Sequence, residues 1–114
     1  MLTNARALIA LTLALAATAA AAQGTAYVSS EKDDALTLID TQTLAVKGTL
    51  PTCKRGRHIQ RMPDGKLMVA CTDSNAADMI DLATRKSLGT VPLGDDPEAF
   101  DLSPDGKLAY VSAE

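Results

Sequence analysis

The stretch "RMPDGKLMVA", residues 61–70, returns as "LSPDGKLAYV" at residues 102–111, and that return decides the fold. Sliding the chain by 41 positions lays the Asp-Gly-Lys-Leu of 64–67 on that of 105–108. The same shift brings Asp40 onto Asp81, Thr43 onto Thr84, Gly48 onto Gly89 and Pro51 onto Pro92. A period of about 40 residues marks a chain built from one repeated supersecondary unit, a solenoid or a propeller. Local periodicity then decides between helical and β units.

"TAYVSS", "ALTLID", "KLMVAC" and "LAYVSAE" are short, rich in β-branched or apolar residues and bounded by Gly, Pro, Asp and Asn, so they read as strands. "MPDG" and "SPDG" carry Pro at the second and Gly at the fourth position of a tight turn, and "DTQT" and "DLAT" begin with an Asp able to bond its own backbone. Outside the N-terminal segment no 11-residue window sustains a helical period. One repeat thus divides into strands over 58–62, 67–72, 77–82 and 87–92. Four antiparallel strands per repeat make one blade of a β-propeller. The expected fold class is all-β, with the third copy one residue longer because "KLAYV" replaces "KLMV".

The N-terminus reads differently. Residues 1–22, "MLTNARALIALTLALAATAAAA", place Arg6 before an apolar run and close on small residues in an Ala-x-Ala pattern, the layout of a secretory signal. A spanning helix would need about 20 consecutive apolar residues, more than this core has. Residues 23–114 are then a partial propeller: strands of a first blade over 23–52, a second blade over 53–93 and the start of a third over 94–114. Because a closed propeller needs at least about four blades, the expectation is an incomplete, non-closed propeller fragment whose end sheets leave edges open.

Composition narrows the partners. The chain carries 11 Lys and Arg against 14 Asp and Glu, has no Trp and only two Tyr and one Phe. With neither a basic block nor aromatic platforms, nucleic acid is not expected as a partner. No membrane span is expected after signal cleavage, and the expected location is periplasmic or secreted. In that oxidising setting Cys53 and Cys71 are a candidate disulfide.

"AYVSSEKDDALTLIDTQTLAVKGTLP" and "GDDPEAFDLSPDGKLAYVSAE" resemble the YVTN-type β-propeller repeat, and in particular the secreted propeller proteins associated with pyrroloquinoline quinone-dependent catabolism. The likeness runs from Gly24 to Glu114 and rests on Tyr27-Val28, Ile39-Asp40, Ile80-Asp81, the Pro-Asp-Gly turns and Tyr110-Val111. It implies a periplasmic propeller accessory to quinone-dependent alcohol oxidation, without a defined activity of its own. Arg61, where the next repeat has Leu102, and Met62, in place of the Ser of "SPDG", depart from the pattern.

The candidate site is "TCKRGRH", residues 52–58, a loop from the outermost strand of one blade to the innermost of the next. The 41-residue offset pairs Lys54 with Asp95, Arg55 with Asp96 and Arg57 with Glu98, a reversal of sign at matching positions. Together with His58 these residues form the candidate surface for an unknown periplasmic protein or a small anionic ligand. The plainer reading is a pair of solvated loops interacting weakly across the blade boundary. Cys53, Cys71, His58 and Asp73 could also be drawn as a soft metal site, but their spacing matches no compact ligand pattern. Asp101, Ser103, Asp105 and Gly106 resemble the head of a calcium loop, yet its twelfth position is Ser112 rather than Glu. No catalytic residue, metal or cofactor is therefore assigned.

Two function classes follow. A non-catalytic binding or scaffold propeller is favoured, because the unusual residues are charged loop positions suited to recognition. The alternative is a propeller enzyme or redox component, lactonase-like or haem-binding, whose site lies mostly in further blades, since a fold does not fix a function.

Overall fold

The computed structural model describes residues 24–114. The signal segment expected over 1–22 lies outside them. The described chain is all-β: β1 (Thr25–Ser30), β2 (Ala35–Asp40), β3 (Val46–Pro51), β4 (Gly56–Arg61), β5 (Leu67–Cys71), β6 (Ala76–Asp81), β7 (Lys86–Pro92), β8 (Pro97–Leu102) and β9 (Ala109–Ala113). A single 3-10 turn, Thr72–Ser74, interrupts the loop between β5 and β6. No helix among the described residues is long and apolar enough to cross a membrane.

The strands form three antiparallel sheets, β1-β2-β3, β4-β5-β6-β7 and β8-β9, and these do not close into a barrel. The first strands of the three sheets, β1, β4 and β8, lie next to one another. This is the arrangement of propeller blades.

The backbone repeats more faithfully than the side chains. All the positive-φ residues described except Gly94 fall in pairs 41 apart: Asp34 and Asn75, Leu44 and Arg85, Gly48 and Gly89, Arg55 and Asp96, Gly65 and Gly106. The turn bonds repeat with them. Asp40 Oδ1 accepts the N–H groups of Gln42 and Thr43, and Asp81 Oδ1 those of Ala83 and Thr84. The Pro-Asp-Gly turns of the second and third sheets touch, and a Cβ on Gly106, at φ 71°, would stand 3.0 Å from Pro63 Cγ. Any side chain there meets both strain and a ring.

Strand β5 explains how the sheets stack. All five of its residues are buried, because successive side chains point to opposite faces and both faces are covered. Leu67, Val69 and Cys71 join Leu36, Leu38 and Leu50 of the first sheet, with Ile80 of β6, in one core. Met68 and Ala70 face the other way and join Ala77 and Phe100. Each fully buried aliphatic side chain contributes about 1.5–3 kcal/mol. Two hydroxyls tie sheet to sheet: Ser29 Oγ donates to Arg57 C=O at 2.8 Å, and Thr72 Oγ1 to Pro97 C=O at 2.9 Å.

The expected strands of the second sheet lie within two residues of those formed. One difference matters for the site. The hairpin at Pro63–Gly65 would bring His58 roughly opposite Cys71, but Gly56 takes that place and the register shifts between Gly56 and Ile59. Gly56 is buried, with Thr52 Oγ1 and Val69 Cγ1 each 3.1 Å from where a Cβ would stand, so the chain enters the sheet there and displaces His58.

Candidate functional site

Antiparallel strands joined by short turns send alternate loops to opposite ends of the sheets. At one end gather the loops between β1 and β2, β3 and β4, β5 and β6, and β7 and β8, together with Glu114 after β9. The "TCKRGRH" loop lies at this end and is held from several sides. Its Arg55 N–H donates to Asp34 Oδ1 at 2.7 Å, and Thr52 N–H to Asp34 C=O at 2.8 Å. One repeat on, Asp96 N–H donates to Asn75 Oδ1 at 3.1 Å and Leu93 N–H to Asn75 C=O at 3.0 Å. Lys54 N–H donates to Ser74 Oγ at 2.9 Å.

Below the loop, Cys53 and Cys71 are joined as a disulfide with Cα atoms 5.7 Å apart. Asp78 lies beside it, 4% exposed in the middle of β6. Its Oδ2 accepts Cys53 N–H at 3.0 Å and its Oδ1 accepts the Ser87 hydroxyl, so both carboxylate oxygens are satisfied where an unpaired charge would be costly.

The two arginines are held between carboxylates. Arg55 Nε lies 3.2 Å from Glu31 Oε2 and its Nη1 3.6 Å from Asp73 Oδ1. The Glu31 hydrogen bond, with the Asp73 charge behind it, keeps the Arg55 guanidinium above even the ordinary arginine range. Arg57 reaches Glu98 Oε1 at 2.9 Å, Glu31 Oε1 at 3.3 Å and Glu114 Oε1 at 3.8 Å. Its Nη1 is buried without a hydrogen-bond partner. Glu31 thus bridges both arginines, and Arg57 joins all three sheets' loops.

Of the three pairs expected from the 41-residue offset, only Arg57 and Glu98 meet. Arg55 turns to Glu31 and Asp73 rather than Asp96, and Asp95 Oδ1 accepts from Asn75 Nδ2 at 3.3 Å instead of meeting Lys54. The offset finds equivalent positions in successive sheets, whereas a long side chain pairs with whichever loop stands beside it. His58 takes no part in the ion pairs: its ring lies edge-on to Phe100, centroids 4.7 Å apart.

Charge at this end is lopsided. Glu31, Asp33, Asp34, Asp73, Asp95, Asp96, Glu98 and Glu114 surround Lys32, Lys54, Arg55 and Arg57, an acidic excess. An anion approaching the arginines meets carboxylates already bound to them.

The metal alternatives find no support in the geometry. Cys53 and Cys71 bond to each other, Asp73 faces Arg55, and among the described residues no group of three or more His, Cys, Asp or Glu is poised for an ion. In the calcium-like stretch Asp105 Oδ1 accepts the Ser103 hydroxyl at 2.7 Å and Lys107 N–H at 3.0 Å, as a hairpin turn requires. These bonds, the Ser103 one foremost, hold the Asp105 carboxyl below the usual aspartate range.

Glu31, Asp34, Asn75, Asp78 and Glu114 belong to the site yet were not singled out by sequence reasoning. Asp34 and Asn75 carried a signal, since they stand 41 apart and both residue types suit a left-handed turn.

No family model and no curated protein matches this sequence. Seven solved chains match its structure. Among them is a chain of the hydrazine synthase of Kuenenia stuttgartiensis, at 28% identity and a TM-score of 0.71, over 78% of this chain and 26% of that one. This chain spans about a quarter of the length of the solved chain it matches.

Proposed function

We propose that this chain is a non-catalytic recognition module, a set of propeller blades that holds a partner protein at its charged rim. The observation that carries the reading is the Glu31-centred lattice, in which both arginines are fixed between carboxylates of neighbouring loops. Such a lattice stiffens a surface and leaves its outer acids, Asp95 and Asp96, free of ion pairs among the described residues. His58 meets Phe100 edge to face, and the loop arginines at this end are engaged in ion pairs, an arrangement suited to recognition. Export, YVTN-type membership and service to quinone-dependent alcohol oxidation complete the proposal, and they rest on the signal-like N-terminus and the sequence resemblance alone.

The test titrates the full chain with an oligolysine peptide as a basic probe, and with a quinone-dependent alcohol dehydrogenase as the candidate partner. Binding should fall as salt rises, and Asp95→Asn with Asp96→Asn should weaken it severalfold. Binding indifferent to both salt and these substitutions overturns the rim reading.

The likeness to a hydrazine synthase chain favours a second reading, a component of a larger redox enzyme. A haem absorption band or redox activity in the purified full chain would support that reading over the first.

A further inference from the structure

Two loops of the charged rim are joined at their roots by the Cys53–Cys71 disulfide. Cys53 lies in the loop that carries Arg55 and Arg57, and Cys71 closes β5, immediately before the turn over 72–75. Above the bond the two loops are knitted together. Thr72 N–H donates to Arg55 C=O at 3.1 Å, Lys54 N–H to Ser74 Oγ at 2.9 Å, and Arg55 Nη1 lies 3.6 Å from Asp73 Oδ1. The turn then passes the restraint to the outer acids: Asn75 Oδ1 accepts Asp96 N–H at 3.1 Å, and Asn75 Nδ2 donates to Asp95 Oδ1 at 3.3 Å.

The scaffold itself does not require the bond. One repeat on, positions 94 and 112 hold Gly and Ser in place of the cysteines. The backbone there makes the same contacts: Leu93 N–H donates to Asn75 C=O as Thr52 N–H does to Asp34 C=O, and Glu114 N–H to Asp96 C=O as Thr72 N–H does to Arg55 C=O. The disulfide is an addition to one copy, placed where two rim loops share their roots. Its sulfurs differ in access, since Cys71 is wholly buried in the core and Cys53 only partly buried against it. A thiolate from solvent meets the bond from the Cys53 side. Once freed, Cys71 stays among Leu36, Leu50 and Ile80 as a small apolar thiol, which lets the sheets persist without the bond.

We propose that the Cys53–Cys71 disulfide is a redox-sensitive latch on the rim: oxidised, it holds loops 52–58 and 72–75 rigid for binding, and a dithiol reductant releases them. What the rim binds rests on the recognition reading above; how its loops are held does not. In the first step a reductant thiolate attacks Cys53 Sγ and forms a mixed disulfide, while the electron pair of the broken bond goes to Cys71 Sγ, which takes a proton. The reductant's second thiol gives up its proton and attacks its own sulfur in the mixed disulfide, and Cys53 leaves and is protonated. The dithiol departs as a disulfide, and both cysteines are thiols.

The test compares the full chain oxidised, reduced with dithiothreitol and reoxidised. Reduction should speed hydrogen exchange at the amides of Lys54, Arg55 and Asp96 at least about tenfold, with strand content by circular dichroism unchanged. It should also weaken oligolysine binding severalfold, and reoxidation should restore both properties. Cys53→Ala with Cys71→Ala should behave as the reduced chain and ignore dithiothreitol, which separates the latch from any other action of the reductant. Should that variant not fold, the reduced chain decides alone. Exchange and affinity unmoved by complete reduction overturn the proposal. So does loss of strand content on reduction, because the bond then only holds the fold. If the oxidised chain ignores oligolysine, the recognition reading fails and the exchange comparison decides the latch.

Discussion

The boundary between the first and second sheets and the boundary between the second and third are made from the same repeat, yet they differ in depth. At the first, Leu36, Leu38, Leu50, Leu67, Val69, Cys71 and Ile80 are all buried, and a disulfide runs beneath the loop. At the second, four residues are buried, Met68, Ala70, Ala77 and Phe100, and apolar side chains such as Leu108 and Tyr110 stand in solvent. The two boundaries differ in the number of strands facing across them. Repeat units of this kind bury their apolar faces against their neighbours, so the stability of one sheet depends on the sheet beside it.

The largest test of that contrast is Ile80→Ala. It should lower the unfolding free energy by about 2–5 kcal/mol, the usual cost of emptying a closed aliphatic core. Met79→Ala, on the neighbouring position but facing the second boundary, should cost no more than about half as much because its site is already partly open. Chemical denaturation followed by circular dichroism compares them, and equal losses would break the distinction.

A smaller effect is expected from the disulfide. Reduction, or Cys53→Ser with Cys71→Ser, opens a loop with a sequence separation of 18 and should cost about 3 kcal/mol in denaturation experiments. Since both sulfurs belong to the first boundary, hydrogen exchange should accelerate in β2 and β5 before β8 and β9. The opposite order would place the clamp at the wrong boundary.

The smallest effect should not discriminate between boundaries at all. Asp40 and Asp105 are held below the usual aspartate range, Asp40 mainly by the Thr43 amide and Asp105 by the Ser103 hydroxyl, and Asp64 is held down by Lys66. A carboxyl depressed in the folded state stabilises above its unfolded value and loses that contribution as pH falls through its folded one. Carboxyl NMR titration should therefore find all three midpoints below that of a free aspartate, with stability declining modestly as acid is added. A midpoint above the free value at any of them would refute the turn geometry.

The fold was legible because turns are local. Pro63-Asp64-Gly65 and Asp40 specify their conformations from adjacent residues, and the strands between them alternate visibly. The site was half legible for the opposite reason. Arg57 and Glu98 sit near the starts of neighbouring first strands, β4 and β8, where the repeat offset and spatial adjacency coincide. Arg55 pairs with Glu31, 24 residues earlier, a contact created by stacking of sheets and unmarked in the local pattern. Asp78 was hidden for a similar reason, since its partners Cys53 and Ser87 come from a loop and from the neighbouring strand.

The bonds at Arg55 and Asp96 have a further consequence. What each gives to Asp34 or Asn75 is its amide hydrogen, which every residue except proline possesses. The turn itself does not call on the side chain at that position, and a cation and an anion already occupy it in successive copies without altering the turn. Such a position behaves as an interchangeable socket: a lineage or a designer can rewrite its charge, or graft another contact residue tolerant of the left-handed turn, and retain the architecture underneath.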